Sequence, residues 1–254
     1  MKENLRELQV FAIRRSGQHA IIEWLAGHFP GEVLIQNNAA YLLDTDVRLL
    51  REGQTSIRDA YIFNIESEDL EGAPQKIDEN VWKTKRGFSS RTDRILILRD
   101  PYNMVASRVK TWGYGPIWNM DAAKDAALWK RHAAEFLGRG QAFSVPPVRI
   151  SYNEWFKSQS YRAAASAALG LAFTDHHIEK IAWTGSSFDG FDKAKDARTM
   201  DVLGRWKAYL DDPAYAPCFQ DLELRDLADE ILVDLAREIR SEIEKRLPAQ
   251  CIKP

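Results

Sequence analysis

The chain has 254 residues, 45% of them apolar and 28% charged, and its 35 basic and 37 acidic side chains leave a formal net charge of −2. That composition belongs to an ordinary globular protein. It excludes a global pull toward nucleic acid or an anionic membrane, so any anion site has to come from local arrangement. Cys218 and Cys251 form no CxxC pair and have no histidines at ligand spacing, which argues against a disulfide framework or a zinc site. The adjacent His176 and His177 read as surface or capping residues. No apolar run approaches the roughly 20 residues that cross a bilayer. The first apolar run, Leu8 to Ile13, is too short for a secretory signal and ends in Arg14-Arg15, so the expected location is cytoplasmic.

In chain order, Leu8 to Ile13 reads as a buried strand and Gly17 to Phe29 as a helix, with Ile21, Ile22, Trp24 and Leu25 apolar. Glu32 to Gln36 and Ala60 to Ile65 are further strands. Gln75 to Thr92 is polar, basic and aperiodic, and reads as a loop. Arg94 to Leu98 is the clearest strand, being short, branched and continuous. Asp121 to Leu137 follows as a helix, Pro147 to Tyr152 as the last strand, and Tyr161 to Leu169 as another helix. Thr184 to Thr199 is a second loop, and Leu222 to Leu247 reads as one long helix closed by Pro248. Continuous apolar strands separated by helices predict a mainly parallel sheet of about five strands, covered on both faces. Residues 1–254 read as a single domain, since no break divides the predicted core.

The turn after the first strand, Arg14-Arg15-Ser16-Gly17-Gln18-His19-Ala20, leads into a helix. A helix start carries free N–H groups and a partial positive charge. Gly17 permits a tight turn, and two arginines add forked donors. Together they make a phosphate cradle. The opening glycine and the Lys-Ser/Thr pair of a Walker loop are absent, which argues against an ATP or GTP hydrolase. The plainer reading is a strand–helix turn with exposed arginines.

At the end of the strand ending in Leu98 stands Arg99-Asp100-Pro101-Tyr102-Asn103-Met104-Val105-Ala106-Ser107. Asp100 suits an N-cap and Pro101 the first helical position. Arg99 therefore leaves a central strand at its carboxyl end, where α/β proteins bind ligands. Asn103 and Ser107 share one helix face. The plainer alternative is a capped helix start with Ser107 as packing.

Together these segments resemble the sulfotransferases that use 3′-phosphoadenosine 5′-phosphosulfate (PAPS). Arg15-Ser16-Gly17-Gln18-His19 occupies the place of that family's loop for the 5′-phosphosulfate, and Arg99 with Ser107, eight residues on, matches its 3′-phosphate pair. Val148-Arg-Ile-Ser-Tyr152-Asn-Glu154-Trp-Phe is similar to its late strand, and Leu203-Gly204-Arg205-Trp206-Lys207 to the Gly-x-Trp segment after its cofactor-closing loop. The likeness runs from residue 8 to about residue 210, with order and spacing maintained. Two departures stand out. Gln18 and His19 replace paired threonines, and Arg15 replaces a lysine, which confines residue 15 to an electrostatic role.

The resemblance implies a P-loop-like three-layer α/β/α sandwich and sulfuryl transfer from PAPS to a hydroxyl of a carbohydrate or small molecule, leaving PAP, with no metal required. It implies donor contacts from Arg14, Arg15, the amides of Ser16 to Ala20 (with Gly17, Gln18 and His19 between them), Arg99, Ser107, Tyr152, Arg198 and Gly204, with Lys195 as a second basic residue of the closing loop. His19, then Glu66, are the candidate bases, whereas the amides of Asn37 and Asn38 cannot serve. Trp112, Tyr114 and Trp118 are candidates for an acceptor wall or for the edge of the core. Competing readings are a non-catalytic module that binds PAP or a sulfated glycan, and a magnesium-dependent nucleotide kinase-like phosphotransferase.

Overall fold

The computed structural model describes residues 3–37, 47–51, 56–66, 70, 87–113, 122–178, 197–212, 215 and 217–246. Six strands form one sheet: β1 (Glu3–Ala12), β2 (Val33–Gln36), β3 (Val47–Leu50), β4 (Ile57–Ile65), β5 (Thr92–Leu98) and β6 (Val148–Ser151). Their spatial order is β3-β2-β4-β1-β5-β6. All neighbouring pairs are parallel except β2 with β3. The six described strands agree with the expected mainly parallel sheet of about five. Val47-Arg-Leu-Leu50 is too short to show a period of its own, and it forms only as an antiparallel edge on β2.

Alternation in the central strands sends side chains to two cores, as the period of two requires. Leu8, Val10 and Ala12 of β1, with Ala60, Ile62, Ile95 and Ile97, meet α1 (Gln18–Ala26) on one face. Trp155 and Ala165 join them there. Phe11, Tyr61, Phe63, Ile65 and Leu96 point to the other face. Ile13 and Leu98 extend that second face under α2 (Pro101–Trp112) and α3 (Ala122–Phe136). Helices on both sides of a mostly parallel sheet make this an α/β protein of three layers.

Several boundaries move outward from their expected positions because polar residues find partners. β1 begins at Glu3 rather than Leu8. Asn4 Nδ2 donates to Ser89 Oγ at 3.2 Å, and the Arg6 guanidinium pairs with Asp93 at 2.8 Å. Beyond β6 lie α4 (Tyr152–Lys157) and α5 (Gln159–Ala168), whose first turns are capped by the hydroxyls of Ser151 and Ser158. Ala197–Thr199 and Arg205–Tyr209 form 3₁₀ turns, followed by a short helix, α6 (Pro217–Gln220). The single helix expected over Leu222 to Leu247 is two. α7 (Leu222–Ile231) stops where Leu232 adopts φ −138° and ψ 51°, and α8 (Val233–Arg246) follows. The apolar stripe crosses the break, with Leu224, Ala228, Leu232, Leu235 and Ile239 buried in one cluster. Among the described residues, no helix is long and apolar enough to cross a membrane.

Candidate anion-binding site

The loop after β1, the strand ends of β4 and β5, and the start of α4 after β6 gather at the carboxyl edge of the sheet. The chain leaves β1 toward β2 on one side and β5 toward β6 on the other, so β1 and β5 flank a crevice where the strand order reverses. Arg15 follows one strand and Arg99 the other.

Local chemistry fixes both positions. Arg15 and Gly17 adopt positive φ, 75° and 79°. A non-glycine residue held there costs of order 1–3 kcal/mol and persists only where its surroundings impose it. Gly17 has a second reason to lack a side chain, because an added Cβ would lie 2.2 Å from the Tyr152 ring. Tyr152 in turn carries the Arg99 guanidinium over its ring, 5.2 Å from the centroid. Asp100 caps α2 by accepting from the Asn103 amide N–H at 2.7 Å, with Pro101 in the first turn. Its other carboxylate oxygen accepts from Asn153 Nδ2 at 2.8 Å, which ties the end of β5 to α4.

The guanidiniums converge. Arg99 Nη1 donates to the Arg15 carbonyl at 3.2 Å, and Arg99 Nη2 donates to the Val202 carbonyl. Arg15 Nε donates to Ser107 Oγ at 3.2 Å, and Arg205 Nη1 to the same oxygen at 3.4 Å. Arg99 and Ser107 are almost wholly buried. Burial pulls the Arg15 guanidinium down to about 10, and the charges of Arg205 and Arg99 push in the same direction. Arg99 is lowered as well, by burial first and then by Arg205. Like charges held together in a low-dielectric site are costly, and an anion placed among them relieves the cost.

A second cluster surrounds Glu66, beyond β4. Its Oε1 accepts from Gln18 Nε2 at 2.9 Å and from Asn64 Nδ2 at 3.2 Å, and it meets His19 Nε2 at 3.0 Å. Its Oε2 lies 3.4 Å from Arg14 Nε. Burial alone would raise this carboxyl, but hydrogen bonds from His19 and Gln18 and the neighbouring positive charges outweigh it and hold Glu66 below the usual carboxylate range. Asn37 joins the edge of the cluster by accepting from Asn64 at 3.2 Å.

Not every expected contact survives in its expected form. The Ser16 N–H donates to the Ile13 carbonyl and the Ala20 N–H to the Gly17 carbonyl, both at 3.1 Å. The cradle of backbone donors therefore narrows from residues 16–20 to residues 17–19. The Gln18 side-chain amide is turned to Glu66 rather than to the loop's interior. Tyr152 opens α4 instead of ending a strand. Arg198 sits exposed on the first 3₁₀ turn, and Arg205 is the basic residue of that segment found at Ser107. Gly204 precedes it, its N–H held by Asp201 Oδ1 at 2.8 Å. Tyr114, Trp118, Lys195 and Asn38 lie outside the described residues, as does the Trp112 side chain, although the Trp112 backbone closes α2.

Arg205 escaped the sequence reading although it stands between the two residues that were singled out, Gly204 and Trp206. The signal was there: an arginine at the start of a turn that Trp206 anchors in the core. Among the described residues, no group of His, Cys, Asp and Glu is placed to hold a metal ion. No protein-family profile matches the chain, and no curated protein sequence matches it. Among solved structures, the mouse sulfotransferase SULT7A1 complexed with PAP is similar at 16% identity, over 94% of this chain and 89% of that one, with a TM-score of 0.48. A likeness of that size carries no argument about this site, whose reading rests on its own residues.

Proposed function

We propose that the protein is a PAPS-dependent sulfotransferase acting on a hydroxyl acceptor. The observation that carries this reading is the meeting of Arg15 and Arg99. Two arginines from separate strand ends, 84 positions apart in the chain, are hydrogen-bonded to one another through the Arg15 carbonyl. An adenosine 3′,5′-bisphosphate has two anionic ends, and the loop of residues 15–19 and the Arg99–Ser107 pair offer one clamp for each. The sequence resemblance supports the same division.

In this account the Gly17 to His19 amides and Arg15 hold the 5′ end, and Arg99 and Ser107 hold the 3′-phosphate. Tyr152 packs on Gly17 and carries the Arg99 guanidinium over its ring. His19 is the acceptor-side base. With Nε2 held against Glu66, the neutral ring keeps its proton on that nitrogen and leaves Nδ1 as the acceptor. Glu66 becomes a positioning residue, because its Oε1 already accepts from Gln18 and Asn64, its Oε2 lies beside the Arg14 cation, and its proton affinity is low. The transfer balances: the acceptor O–H proton passes to His19, the acceptor oxygen bonds to sulfur, and the sulfur–oxygen bond to the 5′-phosphate breaks with its electron pair leaving on PAP. Arginines and backbone N–H groups supply the positive field for that leaving charge.

The test has two stages. PAP at 100 times its dissociation constant stabilises the folded chain by about 2.7 kcal/mol, seen as a raised Tm. The rise persists in EDTA, whereas a kinase-like site would need Mg²⁺ and ATP. Labelled PAPS offered with a panel of carbohydrate and small hydroxyl acceptors then yields labelled product with wild type and much less with His19→Ala. A chain that binds PAP but transfers to no acceptor would instead be a PAP-binding module.

A further inference from the structure

The geometry points to Asn64 as a residue that reads the acceptor. Its side-chain carbonyl receives a second hydroxyl beside the one that is sulfated, so the acceptor is a polyol rather than a phenol or a simple alcohol. This rests on the transfer reading above and names the substrate class for it.

Asn64 is the last residue but one of β4. Ala60 and Ile62 face α1 in the core, and the period of two carries Asn64 and then Glu66 along the same row. The row turns from apolar to polar as it reaches the carboxyl edge of the sheet, where α1 begins with Gln18 and His19. Asn64 is wholly buried. A side chain that only filled the row would be apolar like the two before it, since a buried amide is costly unless its polar atoms are paired.

The amide is only half paired. Nδ2 donates to Asn37 Oδ1 and to Glu66 Oε1, each at 3.2 Å. Those two bonds use both of its protons. The ionised Glu66 carboxylate can only accept, so the nitrogen has to face it and the amide cannot be turned over. Oδ1 is left buried and accepts from no described residue. A buried polar atom in that state calls for a partner from outside the chain, and an amide oxygen takes only a donor.

The surroundings narrow what that donor is. The Glu66 oxygen that accepts from Asn64 also meets His19 Nε2 at 3.0 Å. Amide and imidazole lean on one atom, so an acceptor whose reacting hydroxyl lies at His19 brings its neighbouring substituent toward Asn64. Glu66 already has Arg14 and His19 beside it, so the cluster does not call for a further cation. A neutral hydroxyl fits a neutral carbonyl. A phenol or a simple alcohol gives its only O–H to the transfer and leaves Oδ1 unpaired, which a site of this kind penalises. A vicinal diol keeps a second O–H, which donates to Oδ1 and is unchanged by the reaction.

Transfer from labelled PAPS to cyclohexane-1,2-diols, myo-inositol and methyl glucoside, set against cyclohexanol and 4-nitrophenol, tests this on wild type, Asn64→Leu and Asn64→Ala. Wild type is expected to show a kcat/KM for the best polyol at least about tenfold above both monohydroxy acceptors, and either variant should bring that ratio within about twofold of one. The ratio separates recognition from positioning, because a residue that only steadied Glu66 and His19 would lower every acceptor alike and leave the ratio as it was. The wild-type comparison of a diol with cyclohexanol needs no variant and holds even where a variant fails to fold. Cyclohexanol or 4-nitrophenol sulfated by wild type as readily as the polyols would overturn the polyol assignment and leave the sulfotransferase reading standing. A ratio unchanged in a folded variant would overturn the role of Asn64. Wild type that binds PAP by calorimetry and sulfates none of these acceptors would sink the assignment together with the transfer reading, and wild type that does not bind PAP would sink the donor reading as well.

Discussion

Arg99 and Arg108 stand at either end of the same stretch of chain and are equally buried, at 2% exposure each, yet they are treated in opposite ways. Arg108 faces Asp125 at 3.1 Å, in a pair sealed from solvent. Arg99 faces the Arg15 and Val202 carbonyl oxygens and the opposing charge of Arg205, with Asp100, already bonded to Asn103 and Asn153, as the carboxylate acting on it. A buried charge is normally answered by a partner or neutralised. The first arginine belongs to the protein's own architecture. On the proposed reading, Arg99 belongs to an arrangement whose electrostatics an anionic ligand would complete.

That contrast can be broken at its structural end. Asp125→Asn leaves Arg108 buried without its carboxylate, and chemical denaturation should record a loss of about 3–5 kcal/mol. A loss below about 1 kcal/mol would mean that Arg108 does not depend on Asp125, and the comparison would fail there. At the functional end the pattern reverses. Arg99→Ala should cost roughly 1.5–3 kcal/mol of PAP affinity, with ligand-free stability changed by less than in Asp125→Asn. A variant that binds PAP normally and is badly destabilised would make Arg99 a structural residue like Arg108.

Gly17 sharpens the picture on the loop side. Gly17→Ala meets both a positive φ and the Tyr152 ring, so it should cost of order 1–3 kcal/mol of stability and weaken PAP as well, by displacing the ring that supports Arg99. Ligand affinity unchanged in a folded Gly17→Ala protein would separate the loop from the Arg99 clamp.

The smallest effect concerns Glu66. Its folded-state pKa lies below its ordinary value, so ionised Glu66 stabilises the fold at neutral pH. That contribution is complete above the unfolded carboxyl's pKa, about 4.3, and fades as pH falls through the lower folded value. Glu66→Gln should therefore flatten the acid side of the stability profile, below about pH 4.3. An unaltered profile would remove the carboxylate from the account of His19.

Much of this was legible in the sequence, and the exceptions have physical reasons. Arg94 to Leu98, followed by Asp100-Pro101, announced a strand, a cap and a helix, because continuous burial and capping are local properties. The early half of β1 was hidden, because Asn4 and Arg6 are polar residues made strand-compatible by partners 85 and 87 positions away. β3 was hidden because an edge strand borrows its order from β2. Within the site, Arg15, Arg99 and Ser107 showed through spacing. The contact of Arg205 with Ser107 depends on how a 3₁₀ turn lies against α2, and the gathering of donors around Glu66 depends on side chains from α1, β4 and the β1 loop meeting in space. Neither is written in any one window of the chain.

The central claim is that residues 15 and 99 grip the two ends of one nucleotide, and a crystal structure of the protein with PAP tests it most directly. The account predicts the 5′-phosphate at the Gly17 to His19 amides beside Arg15, and the 3′-phosphate between Arg99 and Ser107. PAP bound elsewhere, or with only one of its phosphates reaching these arginines, would contradict it.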